Sequence, residues 1–178
     1  MITLVLGGAR SGKSESAERR ATETGAHVTY VATAQLSLDD LDLAERIRRH
    51  KERRSKSWAT VELGPGGDLA GTLRSIRETA LVDSLGTWVA GAPQFGVVPA
   101  TLLGSLHERA ARSRPTILVS DEVGLGVHPE TEAGRSFRDA LGELNRAIAE
   151  VADEVLLVVA GRLLSLGRDE LADASGQA

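Results

Sequence analysis

The feature that most constrains this chain is a glycine-rich run that directly follows a short apolar segment at the amino terminus. Residues 2–6 read Ile-Thr-Leu-Val-Leu, and residues 7–14 read Gly-Gly-Ala-Arg-Ser-Gly-Lys-Ser. The run matches the pattern G-x-x-x-x-G-K-[ST], which cradles phosphate groups when a strand precedes it and a helix follows. Residues 13–24 are predicted to be a helix, so the run has both of the neighbours that the pattern requires.

The residue types in this run suit an anion. Glycines let successive backbone N–H groups turn inward, and the following helix directs its positive dipole end at the same point. The lysine is expected to reach the β- and γ-phosphates, and the serine hydroxyl is expected to ligate Mg²⁺. A glycine turn with a coincidental lysine is the disfavoured alternative, because the context fits so fully. We therefore expect a nucleoside triphosphate at the following residues: Gly7, Gly8, Ala9, Arg10, Ser11, Gly12, Lys13 and Ser14.

Strand-length and helix-length patterns alternate along the chain. Apolar segments recur at residues 2–6, 28–32, 80–83, 116–120 and 154–159, and helical patterns at 13–24, 38–54, 68–78, 100–112 and 132–152. Continuous apolar strands indicate burial on both faces, which is typical of a parallel sheet with helical crossovers. We expect an α/β fold of the P-loop NTPase type, a doubly wound, mainly parallel sheet with helices on both faces. One domain is predicted over residues 1–166, and the small polar tail 167–178 is expected to be flexible.

Composition excludes several classes of function. The chain has 178 residues, no cysteine and a formal net charge of -4. Without cysteine there is no disulfide framework, thiolate zinc site or cysteine nucleophile. The acidic balance argues against nucleic acid as a partner, and no apolar stretch approaches the roughly 20 residues that span a membrane. The amino terminus lacks the pattern of a signal peptide, so a cytoplasmic enzyme is expected.

Acidic residues stand at the ends of two predicted strands. Asp83 ends one strand, and Asp121 and Glu122 follow another. The carboxyl ends of strands line the ligand crevice in this type of sheet, so either site could hold the metal ion or accept a proton. Capping of a loop or helix is an equally good account of each carboxylate taken singly. Spacing alone leaves the choice between Asp83 and the Asp121–Glu122 pair open.

A basic helix with one histidine is predicted within residues 38–54. Helical spacing places Arg46, Arg49, His50 and Arg53 on one face. Such a stripe is often just a solvated surface. A neutral imidazole is, however, a competent nucleophile toward phosphorus, and neighbouring guanidinium groups would neutralise the triphosphate that it attacks. His50 is therefore a candidate catalytic residue together with Lys13.

The ordered motifs resemble the bifunctional adenosylcobinamide kinase and adenosylcobinamide-phosphate guanylyltransferase family of cobalamin biosynthesis. The phosphate loop alone is shared by many families, and the combination with Arg46-Ile-Arg-Arg-His50 and Glu122-Val-Gly-Leu-Gly126 is the specific part. The resemblance covers nearly the whole chain to about residue 161. It rests on residues 7–14, 30–35, 46–50, 58–62, 82–83 with Trp88, 122–129, 137–145 and 152–155.

The resemblance implies two reactions on one scaffold. A nucleoside triphosphate, ATP or GTP, phosphorylates adenosylcobinamide, and GTP then transfers GMP to that phosphate through a guanylylated histidine, releasing pyrophosphate. His50 matches the covalent histidine, and Mg²⁺ and a homotrimer are also implied. Glu62 could accept from a guanine edge, and Asp121 or Glu122 could activate the acceptor. The remaining residues that the resemblance places around the nucleotide are Thr33, Ala34, Gln35, Lys51, Glu52, Arg53, Arg54, Glu62 and Asp83.

Two other functions compete with this interpretation. One is a P-loop small-molecule kinase without guanylyl transfer, in which the basic helix only clamps phosphates. The other is a GTP-switched binding module, against which the absence of an Asn-Lys-x-Asp signature argues.

Overall fold

The computed structural model describes residues 1–25, 27–34, 48, 55–64 and 66–168. In these ranges the strands are β1 (Ile2–Gly7), β2 (Val28–Ala32), β3 (Ala59–Glu62), β4 (Thr79–Asp83), β5 (Thr116–Asp121), β6 (Glu154–Val159) and β7 (Arg162–Leu166). The helices are α1 (Lys13–Glu23), α2 (Leu69–Ser75), α3 (Leu85–Gly91), α4 (Pro99–Ala111) and α5 (Glu132–Val151), with a 3₁₀ turn at Pro93–Phe95. No helix within these ranges is long and apolar enough to cross a membrane.

All the strands form one sheet in the order β3-β2-β4-β5-β1-β6-β7. Neighbouring strands run parallel except for β7, which is antiparallel to β6. Every residue of β1 and β2 is buried, as are the first five of β5. Burial on both faces explains why these strands have continuous apolar sequences, and it confirms the predicted mainly parallel sheet.

Helices cover both faces of the sheet. Alternate residues of a strand point to opposite faces, so Leu4 packs with α2, α3, α4 and α5 while Val5 packs against Ala17 and Ala21 of α1. The doubly wound α/β fold class is thereby confirmed.

The predicted elements agree with the structure to within a few residues where the structure describes them. The largest difference is the helix expected at 68–78, which the structure ends at Ser75 because β4 starts at Thr79. The Asp68 side chain caps this helix by accepting from the Gly71 N–H at 2.8 Å. The helix expected at 38–54 lies outside the described residues except for Arg48, which is helical and exposed.

Three elements were missed by the sequence patterns. The edge strands β3 and β7 are short and mostly exposed, and polar residues such as Thr60 and Ser165 interrupt their apolar ones. The β6–β7 turn uses Ala160 and Gly161 at φ 51° and 74°, a two-residue turn for which Asn-Gly is the usual signal. Helix α3 contains glycine at two positions, which weakens its helical pattern. The boundary expected at residue 166 stays a prediction, since residues 169–178 are not among those described.

Candidate functional site

The parallel strands bring the predicted site residues to one edge of the sheet. Gly7 at the end of β1 lies opposite Asp121 at the end of β5. Two strands from β5, Ala32 at the end of β2 lies between Glu62 on β3 and Asp83 on β4. Ligands of open α/β sheets bind at this carboxyl edge. The edge is therefore the candidate site, and the glycine loop stands in the middle of it.

Close packing requires glycine at the start of the loop. A Cβ on Gly7 would collide with the Ser11 hydroxyl and would lie 2.8 Å from the Val158 carbonyl oxygen. Gly12 precedes α1 with φ 93°, a backbone conformation that side chains rarely adopt. The loop is thus folded back on itself over β1 before the helix begins.

The Ser11 side chain faces into this folded loop. Its hydroxyl oxygen is buried and has no hydrogen-bond partner within the described part of the chain. The Ser11 carbonyl accepts from the Gly161 N–H at 2.8 Å, so the β6–β7 turn supports the loop from outside. Buried polar atoms in proteins are normally paired, so an unsatisfied hydroxyl here is consistent with a loop built to receive a polar ligand.

Lys13, the first residue of α1, turns its ammonium group back over the loop. Lys13 Nζ donates to the Gly8 carbonyl at 3.1 Å and lies 2.8 Å from Asp121 Oδ1. The residue is only 8% exposed. The lysine is therefore held at the loop by one carbonyl and one carboxylate.

Asp121 is held from several sides. The Asn145 amide donates to the Asp121 carbonyl at 3.1 Å, and the Ser120 hydroxyl donates to Asn145 Oδ1 at 2.6 Å. On the side of α3, the Asp121 carboxyl group lies against Gly86, where an added Cβ would approach Asp121 Cγ to 3.1 Å. Asn145 and Gly86 are site residues that the sequence analysis missed as contributors, because only the tertiary packing relates them to residue 121.

Asp83 and Thr33 form a second polar group at the same edge. The Tyr30 hydroxyl donates to Asp83 Oδ2 at 2.7 Å. Thr33 is 2% exposed, and its hydroxyl donates to the Ser84 carbonyl at 2.7 Å while accepting from the Ser84 N–H at 2.8 Å. The Thr33 side chain thus joins the end of β2 to the end of β4 and so holds Asp83 in position.

Glu122 begins the loop after β5. Its N–H donates to the Gly7 carbonyl at 3.1 Å, and its Oε1 accepts from the Gly124 N–H at 2.8 Å. Glu122 also lines a groove of about 780 Å³ beside α5 and the end of β7. Leu125 and Val127 in the same loop are 82% and 95% exposed. The loop after β5 therefore borders an open groove through Glu122 and exposes two apolar side chains.

Two predicted metal ligands have suitable chemistry. Ser14 is in the first turn of α1, and Asp83 ends β4. Mg²⁺ in phosphate-binding sites takes one or two protein oxygen ligands together with phosphate oxygens and water. A hydroxyl and a carboxylate at the same edge fit this requirement. Within the described ranges no group of three or more His, Asp or Glu side chains could hold a metal ion alone.

The candidate nucleophile lies outside the described residues. The same is true of the other predicted nucleotide residues of that segment, namely Gln35, Lys51, Glu52, Arg53 and Arg54. Of the other histidines, His27 and His107 are exposed, and His128 Nδ1 lies 2.9 Å from Arg138 Nη1. Glu62 ends β3 opposite Ala32, and Ala34 lies two residues beyond the end of β2.

Comparison with known proteins gives one consistent result. The chain matches the family model "Cobinamide kinase / cobinamide phosphate guanyltransferase" over residues 3–166. It is 42% identical to the bifunctional adenosylcobalamin biosynthesis protein CobP of Pseudomonas aeruginosa, covering 96% of this chain and 100% of that protein. It is 35% identical to the bifunctional adenosylcobalamin biosynthesis protein CobU of Salmonella typhimurium, covering 90% of this chain and 97% of the relative.

Solved structures support the fold alone. The flagellar accessory protein FlaH of Methanocaldococcus jannaschii aligns with a TM-score of 0.52 at 17% identity, covering 91% of this chain and 74% of FlaH. The position of the phosphate loop at the carboxyl edge is consistent with the family match, which extends along nearly the whole chain. The chain belongs to the cobinamide kinase / cobinamide phosphate guanyltransferase family.

Proposed function

We propose that this chain catalyses two successive transfers in cobalamin biosynthesis, phosphorylation of adenosylcobinamide and guanylylation of the phosphate so formed. The observation that carries the proposal is the buried Lys13 over the glycine loop, in a chain whose full-length relatives are named bifunctional adenosylcobalamin biosynthesis proteins. Those names favour two activities over the alternative of a plain kinase.

In the kinase step, the acceptor hydroxyl oxygen bonds to the γ-phosphorus as the bond from that phosphorus to the β–γ bridging oxygen breaks. The loop N–H groups and Lys13 stabilise the charge on the leaving diphosphate. The hydroxyl proton passes to a carboxylate, for which Glu122 and Asp121 are the candidates at the end of β5. The groove beside Glu122 gives a large acceptor a path to this point.

Mg²⁺ is proposed as the cofactor of this step. Ser14 Oγ and a carboxylate oxygen of Asp83 would hold it. When bound, such an ion neutralises phosphate charge and orients the phosphates.

In the transferase step, His50 is proposed as the nucleophile. An imidazole nitrogen bonds to the α-phosphorus of GTP as pyrophosphate leaves, and the phosphate of the first product then displaces the histidine. Two displacements restore the free imidazole and give adenosyl-GDP-cobinamide. Lys51, Glu52, Arg53 and Arg54 are proposed to surround this nucleotide.

Nucleotide recognition is proposed at the β2–β3 side of the edge. Glu62 would accept hydrogen bonds from a guanine edge, and Thr33, Ala34 and Gln35 would contact the nucleotide. Because the Thr33 hydroxyl bonds to Ser84 and the Thr33 N–H donates to the Asp83 carbonyl, the contribution of Thr33 would come from its backbone carbonyl. Loss of the preference for GTP over ATP in Glu62→Ala would support this assignment, and an unchanged preference would remove it.

A homotrimer is proposed as the assembled form. The edge strand β7 exposes Leu163, Leu164 and Leu166 at 52%, 57% and 39%, an apolar surface of the kind that subunit interfaces cover. The triphosphate substrates of both steps also make the cytoplasm our proposed location.

The experiment incubates the protein with adenosylcobinamide and with GTP labelled on the α- or the γ-phosphate. We expect γ-label in adenosylcobinamide phosphate and α-label in a covalent protein adduct that His50→Ala abolishes. Lys13→Ala is expected to abolish kinase turnover. Transfer of γ-label without any α-labelled adduct would establish the plain kinase instead, and retention of most kinase activity in Lys13→Ala would contradict the loop assignment.

A further inference from the structure

The ammonium group of Lys13 already has an anionic partner within the chain. Lys13 Nζ lies 2.8 Å from Asp121 Oδ1, and the exposed fractions of the two side chains are 9% and 30%. A buried charge is costly unless it is paired and hydrogen-bonded. The Asp121 carboxylate and the Gly8 carbonyl therefore supply the ion pair and the hydrogen bond that the buried Lys13 ammonium group needs.

The fold places the Asp121 carboxylate beside the loop. Asp121 ends β5 directly opposite Gly7, and Asn145 holds its carbonyl. The missing side chain at Gly86 makes the space in which its carboxyl group lies, since an added Cβ would collide with it. The backbone of Asp121 is thus fixed beside the loop, while the long side chain of Lys13 has the rotatable bonds needed to change partners.

We propose that Asp121 is an internal counter-ion that occupies Lys13 until the nucleotide phosphates displace it. The inference rests on the proposed function, because it assumes that phosphates bind at the glycine loop. Asp121 acts through Lys13 and is a positioning residue. This role differs from acceptor activation, since it operates on nucleotide binding in the absence of any acceptor.

The effect of Asp121 on nucleotide affinity has a predictable direction. A triphosphate carries more negative charge than one carboxylate and also accepts hydrogen bonds from the loop N–H groups. It can therefore displace Asp121 as the partner of Lys13. It must do so beside a carboxylate that repels it and competes for the same ammonium group. The ion pair therefore keeps Lys13 ordered in the empty protein, weakens nucleotide binding and favours the return of Lys13 when the shorter diphosphate product leaves.

The test is nucleotide affinity in Asp121→Asn, which keeps the size of the side chain and removes its charge. Binding of a non-hydrolysable GTP analogue, and separately of a non-hydrolysable ATP analogue, is measured by titration calorimetry without acceptor, with Mg²⁺ and with EDTA. We expect binding about three- to ten-fold tighter than in the parent under both conditions, the size expected for removing one nearby, partly screened like charge. In turnover, the KM for the triphosphate should fall.

Controls separate this effect from others. Asp153→Asn is the matched control: Asp153 accepts from the Ile2 N–H at 2.6 Å at the opposite edge of the sheet, and its removal should leave affinity unchanged. Asp121→Ser serves as the second variant and should also tighten binding. In a Lys13→Met background, Asp121→Asn should give a clearly smaller gain.

Unchanged or weaker nucleotide binding in both Asp121 variants would overturn the inference. Weakening confined to Mg²⁺ buffer would identify Asp121 as a metal ligand instead, and an undiminished gain in Lys13→Met would show that Asp121 does not act through the lysine. The proposed function fails separately, if Lys13→Met itself binds both analogues as tightly as the parent.

Discussion

At the scale of single residues, the phosphate loop depends on the absence of a side chain at Gly7. The hydrogen atom of Gly7 lies where a Cβ would press on the Ser11 hydroxyl and on the Val158 carbonyl. The Ser11 hydroxyl can rotate aside, but the Val158 carbonyl is part of the backbone of β6. It cannot move away without disturbing the strand that supports the loop.

Gly7→Ala is therefore expected to disturb the loop rather than the sheet. We expect nucleotide affinity to fall by about ten-fold or more and the free energy of unfolding to fall by about 1–3 kcal/mol, the usual cost of overpacking. Calorimetric titration and urea unfolding measure the two effects. Gly104→Ala on α4 is the control, because its Cβ would meet only Arg74 Nη2 at 3.7 Å. Parent-like affinity in Gly7→Ala would show that the loop tolerates a side chain there.

A second residue-scale contact makes stability depend on pH. The Thr29 hydroxyl donates to Glu78 Oε1 at 2.5 Å, and this bond lowers the pKa of Glu78 below its ordinary value of 4.5. A carboxylate with a lowered pKa in the folded state stabilises the fold above its ordinary pKa. That contribution is lost as the pH falls through the lower, folded-state pKa.

Thr29→Val removes the donor and keeps the shape. At neutral pH we expect the free energy of unfolding to fall by about 1 kcal/mol, and the difference from the parent should shrink as the pH drops below about 4.5. Urea unfolding across this pH range measures it. Thr22→Val removes a hydroxyl that donates to the Glu18 carbonyl, so its effect should not vary with pH. A pH-independent difference in Thr29→Val would contradict the assignment.

At the scale of elements, one buried side chain joins the pieces at the amino edge of the sheet. Arg109 of α4 is 1% exposed. Burial lowers its pKa to about 10, so the guanidinium remains charged at neutral pH. Its five hydrogen bonds reach Thr116 Oγ1 at 2.7 Å and the carbonyls of Leu73, Ile76, Glu78 and Pro115 at 2.8, 2.5, 2.8 and 3.1 Å. It thus ties α4 to the end of α2 and to the starts of β4 and β5.

Arg109→Ala should be the most damaging single change away from the site. It leaves several buried carbonyls without donors, so we expect a loss of about 3 kcal/mol or more in the free energy of unfolding. Chemical denaturation monitored by circular dichroism measures the loss. Arg112→Ala, at an exposed position just after the same helix, should change stability by less than about 0.5 kcal/mol. Equal effects of the two substitutions would show that the Arg109 network is not structural.

At the scale of the whole molecule, the two edges of the sheet differ. Strand β3 exposes no large apolar side chain, whereas β7, the other edge strand among the described residues, exposes three leucines. Exposed apolar edges tend to be covered by another chain. The turn that begins β7 also supports the phosphate loop through Gly161, so this edge connects the proposed subunit contact with the nucleotide site.

Leu164→Lys is expected to convert the proposed trimer to monomers, because a charge on this surface must be desolvated when a partner covers it. Sedimentation equilibrium gives the mass directly. Arg162→Lys, an exposed position on the same strand, keeps the charge and should leave the mass unchanged. A trimer that persists in Leu164→Lys would place the interface elsewhere.

Much of the fold could be predicted because its signals are local. Strands buried on both faces, such as β2, carry continuous apolar runs, and the glycine loop has fixed spacing next to them. Edge strands such as β3 and β7 carry a weaker signal, since they are not buried on both faces and polar residues interrupt their apolar ones. Two glycines weaken the helical pattern of α3, so the sequence did not predict that helix.

By itself, the sequence determined the phosphate loop, the parallel sheet and the family, because each is encoded in residue types at short or ordered spacing. The tertiary structure alone decided which groups meet at the loop. That Lys13 pairs with Asp121, that Gly86 makes room for the carboxylate and that Asn145 holds its backbone all depend on the strand order and register. Those through-space pairings arise only when crossover connections bring distant strand ends to one edge, and no local pattern records them.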